Sequence, residues 1–200
     1  ICLVAQRDPI HTAKEVASVD ALSNGRFLFG IGYGWNKEEM AQHGTGYTDR
    51  RAILRENILA MKQLWTQDEA SFDGEHVQIE PSWSWPKPAR SPHPPVILGG
   101  SAGPRTAADI AEFCDGWMPI AGRYSLDKWS EVVAACEKIG RDPATVELGV
   151  FGAPPDAAKL HDMAAAGATR VVLGLPQGPR DEVLEALQTM APLVEEMRDA

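Results

Sequence analysis

Glycines alternate at positions 30, 32 and 34 in the stretch Gly-Ile-Gly-Tyr-Gly-Trp-Asn, directly after the apolar run Arg-Phe-Leu-Phe. A residue without Cβ lets its backbone approach another group closely. At a strand end, such a run suits either a flat ring lying on the backbone or a tight turn that the fold alone requires. A dinucleotide fingerprint is excluded, because it needs G-x-G-x-x-G running straight into a helix. Here the spacing is G-x-G-x-G, and helical periodicity resumes only near Asp49. A second glycine-rich stretch, Leu98-Gly-Gly-Ser-Ala-Gly-Pro-Arg105, does run into a helical pattern, with Pro104 suited to the first turn. Successive amides at such a junction form an anion site, to which Ser101 adds a hydroxyl and Arg105 a charge; a plain loop is the alternative.

Other residues offer chemistry singly. His11 follows a strand-like run and His43 lies in the loop after the first glycine run, where an imidazole can exchange a proton near neutral pH. The alternative for each is a solvated loop histidine. Asp20 sits on an apolar helix face and needs partners there, the nearby Ser-Asn-Gly-Arg turn being the obvious one. Arg50-Arg51 and Arg55-Glu56 open a helix and read as a solvated face with local pairs. Trp83 and Trp85 suit a substrate wall, a core or an interface. No lysine or carboxylate pair stands at a strand end, as a phosphate-binding lyase or isomerase would need. The three cysteines lack metal-ligand spacing and read as buried cytosolic thiols; no metal site is expected.

These residues need a scaffold. Short apolar runs recur at Ile1–Ala5, Arg26–Ile31, Pro95–Leu98, Gly116–Ile120, Val146–Phe151 and Thr169–Leu173. They are continuous, not alternating, as in parallel strands covered on both faces. Between them lie helical patterns over 10–22, 49–66, 126–139, 156–166 and 180–198. The first carries Ala13, Val16 and Ala17 and stops at Ser23-Asn-Gly25. The second carries Leu54, Ile58, Met61 and Trp65, and the third Leu126, Trp129, Val133 and Cys136. Pro192 is expected to kink or break the last. Regular β/α alternation predicts a parallel sheet with right-handed crossovers, open or closed into a barrel. Both glycine stretches then fall at the C-terminal strand ends, where such folds bind ligands. The interval 67–94 is an insertion, with Asp73-Gly74 predicting a hairpin.

The whole chain has 200 residues, 44% hydrophobic and 24% charged, an ordinary globular composition. A net charge of −9 argues against broad nucleic-acid binding. No run reaches membrane-spanning length, and Arg7 and Asp8 interrupt the first apolar residues, so these do not form a signal peptide. A cytoplasmic protein is expected.

Several ordered stretches resemble one family. Pro9-Ile-His-Thr-Ala-Lys-Glu-Val-Ala, Asp20-Ala-Leu-Ser-Asn-Gly-Arg-Phe, Gly30-Ile-Gly-Tyr-Gly-Trp-Asn-Lys-Glu-Glu, Trp85-Pro-Lys-Pro, Pro95-Val-Ile-Leu-Gly-Gly and Cys114-Asp-Gly-Trp-Met-Pro resemble the luciferase-like monooxygenase superfamily. The pattern is nearest the branch that uses the deazaflavin coenzyme F420. The resemblance implies a single (β/α)8 TIM barrel domain over 1–200, with residue 1 falling in the family's third strand and the first two βα units lacking. It implies an F420 ring lying against Gly32, Tyr33, Gly34 and Asn36, and a phosphate held by Leu98, Gly99, Gly100 and Ser101. In some relatives the place of Tyr33 holds a charged residue that touches the cofactor. It also implies a homodimer that exchanges a hydride with a small organic substrate. With FMN in place of F420, oxygen chemistry and monooxygenation follow; a non-catalytic flavin-binding barrel is the third reading.

Overall fold

The computed structural model describes residues 1–198. The element order is α1 (Pro9–Leu22), β1 (Phe29–Ile31), α2 (Lys37–Gln42), α3 (Arg50–Thr66), β2 (Ala70–Asp73), β3 (Gln78–Ser82), β4 (Val96–Gly99), α4 (Pro104–Phe113), β5 (Gly116–Met118), α5 (Trp129–Lys138), β6 (Glu147–Ala153), α6 (Ala157–Ala165), β7 (Arg170–Leu173) and α7 (Arg180–Arg198). These elements fall into two compact units. The first takes residues 1–99 and 112–115; the second takes 100–111 and the residues from 116 onward.

In the first unit, β1 and β4 run parallel, with Phe29 opposite Val96 and Ile31 opposite Leu98. Phe29, Ile31, Val96, Ile97 and Leu98 are all buried, as continuous apolar runs demand. Asp8 caps α1 by accepting the His11 N–H at 2.8 Å, and Ala13, Val16 and Ala17 face inward. The helix stops where Asn24 and Gly25 take left-handed φ values of 53° and 75°. Against α1 packs α3, burying Leu54, Ile58, Met61 and Trp65. The Trp65 indole donates to the Ala13 carbonyl at 2.9 Å, so the two helices share a buried hydrogen bond as well as an apolar face.

Three charged side chains tether the 67–94 segment to these helices. Its strands β2 and β3 pair antiparallel. The hairpin connection is longer than the Asp73-Gly74 signal implies: the Gly74 N–H closes onto the Val77 carbonyl. The reason is Glu56 on α3, whose carboxylate accepts the N–H groups of Glu75, His76 and Val77 at 2.7–3.1 Å. Burial pushes this carboxyl up, but the three backbone donors outweigh it and hold the group below its ordinary value. Lys87 donates to the Leu64 and Gln67 carbonyls at the C-terminus of α3, where a cation is favoured. Asp20 reaches past the turn expected for it. Its carboxylate accepts the Arg90 N–H at 2.8 Å, while its backbone carbonyl takes the Gly25 N–H.

The second unit contains β5, β6 and β7, all parallel, with Trp117 opposite Leu148 and Val150 opposite Val171. Its α4 buries Ala107, Ile110 and Ala111. Arg141 closes that helix by donating to the Ile110 and Ala111 carbonyls at 3.3 and 2.9 Å.

Several expectations from the sequence are corrected. Ile1–Ala5 is not a strand. Cys2 makes one parallel bridge to Ile31, after which Val4–Gln6 forms a 3-10 turn. The Leu3 and Val4 carbonyls are taken by the Gln6 and Arg7 N–H groups, and Asn57 Nδ2 adds a bond to Val4. The apolar run therefore reports burial, not pairing. A helix missed before Asp49, α2, begins immediately after Asn36. On α5 the buried valine is Val132, with Val133 only half-buried. Pro192 lies within a continuous α7; the proline is exposed, so water can replace the helix bond its ring removes. In β7 only Val171 and Leu173 pack on the core, and Val172 is exposed.

Glu56→Ala leaves three backbone donors without their acceptor. We expect a loss of about 1–3 kcal/mol, read as a lower urea midpoint; an unchanged midpoint would refute the tether. His93 gives a second expectation. Its side chain is only 10% exposed and stacks on Trp65, 5.8 Å between ring centres. Burial holds it below the usual histidine value and Lys62 acts the same way, against the Pro94 carbonyl and Asp115. A depressed histidine favours the neutral form in the folded state. Its stabilising contribution is full above about pH 6.5 and is lost as pH falls from there through the folded value. Urea midpoints followed from about pH 7.5 to 5 should fall more steeply in wild type than in His93→Gln; parallel profiles would contradict this.

Candidate functional site

The two glycine runs leave one edge of the β1–β4 pair. Ile31 and Leu98 are register partners, so Gly32 follows one strand at the level where Gly99 ends the other. The glycines differ in what surrounds them. A Cβ on Gly34 would stand 2.3 Å from Met40 Cε, and its φ is +75°. Met40 is fully buried, so the fold itself requires Gly34. A Cβ on Gly32 would meet Ile1 Cδ1 at 3.1 Å. Gly30 and Gly100 are different, since a Cβ on either meets nothing within 4 Å. Gly100 has φ +113°, and its carbonyl accepts the Trp117 indole N–H at 2.9 Å. Here glycine is needed for conformation and leaves open space beside the backbone.

The remaining expected ligands have partners of their own. Tyr33 accepts a hydrogen bond from Arg51 Nη2 at 2.9 Å, and the Arg51 guanidinium lies 4.0 Å from the tyrosine ring centre. Arg51 thus lays its cation on the Tyr33 ring, a contact not expected of a solvated helix face. Asn36 caps α2, accepting the Glu39 N–H at 3.1 Å through Oδ1, which leaves its Nδ2 to donate. Leu98 is buried and offers only its backbone. Ser101 is exposed, in the second unit, with its hydroxyl on the Ala102 carbonyl at 3.2 Å. His11 stands at the N-terminus of α1, 85% exposed and 3.6 Å from Asp8. His43 is the exposed C-cap of α2. Neither histidine is enclosed with a second catalytic group. Trp83 and Trp85 are 77% and 60% exposed, which rules out a core role.

Sequence reasoning missed Gln6 and the pair Tyr47–Arg50. The Gln6 Nε2 is buried without a hydrogen-bond partner, and Tyr47 carries Arg50 on its ring face. Aromatic–arginine stacking leaves no spacing signature when the partners come from a loop and the helix after it. Among the described residues no histidine, cysteine and carboxylate cluster could hold a metal ion, and no helix is long and apolar enough to cross a membrane. A cleft of about 890 Å³ lies in the second unit, lined by α6, β7 and α7 residues such as Leu160, Leu173, Leu193 and Met197. Of its polar residues, His161 pairs with Glu196 and Arg170 with Glu147, and Thr169 and Arg198 also line it.

Comparison with known proteins agrees with this architecture. An uncharacterized protein of Mycobacterium tuberculosis is 38% identical over 197 residues, covering 96% of this chain and 67% of the relative. The FMNH2-dependent dimethylsulfone monooxygenase of Pseudomonas putida is 34% identical, covering 71% of this chain and 39% of that protein. The F420-dependent hydroxymycolic acid dehydrogenase of M. tuberculosis is 31% identical, covering 81% and 46%. The chain thus spans two thirds of the first relative and less than half of the other two. The fold matches the crystal structure of monooxygenase RslO1 from Streptomyces bottropensis with a TM-score of 0.85 at 16% identity, over 97% of this chain and 75% of that one. A family model described as luciferase-like monooxygenase matches residues 1–198. The chain belongs to the luciferase-like monooxygenase family, whose members are oxidoreductases of the βα-barrel fold.

Proposed function

We propose that this chain carries the cofactor-binding part of an F420-dependent oxidoreductase acting on a small organic substrate. When bound, a deazaflavin supplies hydride donation or acceptance, chemistry that no amino-acid side chain provides. The reading assigns the ring to the stretch Gly32, Tyr33, Gly34 and Asn36, and the phosphate to the backbone of Leu98, Gly99 and Gly100 with the Ser101 hydroxyl. The observation that carries it is the shared register of β1 and β4, which brings the glycine runs level at one edge. Open space beside Gly30 and Gly100 supports it, since an approaching planar or anionic group meets no side chain there.

The chain's own residues have defined tasks in this reading. Asn36 Nδ2 donates to a ring or ribityl oxygen while Oδ1 keeps α2 in place. Arg51 holds the Tyr33 phenol in one orientation and adds positive charge behind it, favouring a ring that gains electron density. The Ser101 hydroxyl turns from Ala102 to the phosphate. His11 and His43 remain the candidates for moving a substrate proton. The domain is read as one barrel with the 67–94 segment inserted, in a cytoplasmic homodimer. A second reading, an FMN-dependent monooxygenase, is favoured by the dimethylsulfone monooxygenase relative.

Titration of the purified protein with F420 and separately with FMN, followed by fluorescence quenching, separates these readings. Saturable F420 binding tighter than FMN binding is expected; the reverse order would install the second reading, and no binding of either would overturn both. Ser101→Ala should weaken F420 binding by about tenfold or less with the thermal transition retained, and Gly100→Ala, strained at φ +113°, should weaken it with a lower transition that is still cooperative. Unchanged affinity in both variants would remove the phosphate assignment.

A further inference from the structure

Tyr47 lies among cations. The Lys37 ammonium stands 4.9 Å and the Arg50 guanidinium 3.7 Å from the centre of its ring. Arg50 also donates through Nη1 to the Tyr47 carbonyl, while its Nε is buried without a partner. Among the described residues no carboxylate comes within 4 Å of either cation. The chain as a whole carries −9, yet the neighbouring Glu38, Glu39 and Asp49 form no ion pair with either cation. Arg50 moreover sits in the first turn of α3, where the helix field disfavours a cation. That turn holds no acid, and its N-cap Asp49 makes no side-chain cap bond. Two cations on one ring raise the local positive potential, and neither is held in an ion pair. Both belong to the first unit, and Lys37 directly follows Asn36.

We propose that Lys37, Tyr47 and Arg50 form a subsite for a carboxylate-bearing ligand segment extending from the glycine run. The inference rests on the cofactor reading and deepens it. F420 carries a tail of glutamyl carboxylates; FMN ends at its phosphate. Tyr47 holds the cation heads in place through its ring face, which costs less ordering on binding than two free side chains would. Arg50 keeps its Nη2 to donate to a carboxylate, and Lys37 offers a compact charge. The subsite then selects tail-bearing cofactors over those lacking the tail, and its contribution weakens with salt.

The test uses F420, the same deazaflavin with its ribityl chain but no tail, and FMN, each titrated by fluorescence quenching at low and high salt. Wild type should bind F420 more tightly than the tail-less compound, and salt should narrow the gap. Lys37→Gln and Arg50→Gln should each cut F420 affinity by roughly threefold to tenfold, leaving the tail-less affinity unchanged. Lys37→Glu should cut it further. Thermal melting checks that each variant folds, and Lys37→Gln, on an exposed side chain, stands in if Arg50→Gln does not. Equal affinities for both deazaflavins in wild type, or equal losses for both in the variants, would overturn the subsite while leaving the cofactor reading standing. A subsite for an anionic substrate instead would leave both deazaflavin affinities untouched and likewise overturn this assignment. Absence of all deazaflavin binding would overturn both proposals.

Discussion

Parallel strands have no hairpin between them to fix their alignment, so their register must be held by packing and by the ladder itself. For β1 and β4 that ladder is short. The Phe29 N–H bonds the Pro95 carbonyl at 2.8 Å, and Phe29, Ile31, Val96 and Leu98 are buried beside it. Cys2 locks the opposite edge of β1, donating to Gly30 and accepting from Gly32 at 2.8 and 3.0 Å. A slip by one residue would turn Phe29 and Ile31 onto the other face and separate Gly32 from the level of Gly99. The proposed ring and phosphate sites depend on those few bonds, because they set Gly32 level with Gly99.

The 67–94 segment illustrates a different way of holding chain in place. A two-stranded hairpin is marginal by itself. This one is pinned from the α3 side by Glu56, which satisfies three turn amides at once, and by Lys87 at the end of the same helix. Asp20 of α1 takes the Arg90 amide. Each anchor is a charged group accepting from or donating to backbone, and only Lys87 belongs to the segment itself. That leaves Trp83 and Trp85 free to face solvent without loss to the hairpin.

Much of this was readable from the amino-acid order, and the failures have physical causes. Strand positions followed from continuous apolar runs because burial on both faces is a compositional signal. The same signal misread Ile1–Ala5, since Val4 and Ala5 are buried in a turn whose carbonyls are already taken. The glycine runs announced a strand edge, but the sequence could not separate Gly34, which Met40 explains, from Gly100, which only conformation and open space explain. Asn36 was read as a ligand; it also caps a helix, a role hidden because six residues are too few to show periodicity. Arg50 and Arg51 looked like a solvated face, since stacking on Tyr47 and Tyr33 depends on where a loop returns.

Those two stacks sharpen the question of why cations gather after β1 in an acidic chain. Arg51 reaches Tyr33 across 18 positions, and Arg50 and Lys37 converge on Tyr47. Cation–π contact alone is a poor reason, because each pairing is worth only about 0.5–1 kcal/mol at an exposed site, and like charges brought to one ring oppose it. Two other cations of the first unit meet acids: Arg55 bonds Glu112, and Lys62 approaches Asp115. Asp8, Asn36 and Asp156 cap the starts of α1, α2 and α6 through their side chains, which the start of α3 lacks. Lys37 and Arg50 lack an acidic partner among the described residues. An external anion contributes most where cations are held together without an ion pair, because it offsets their mutual repulsion.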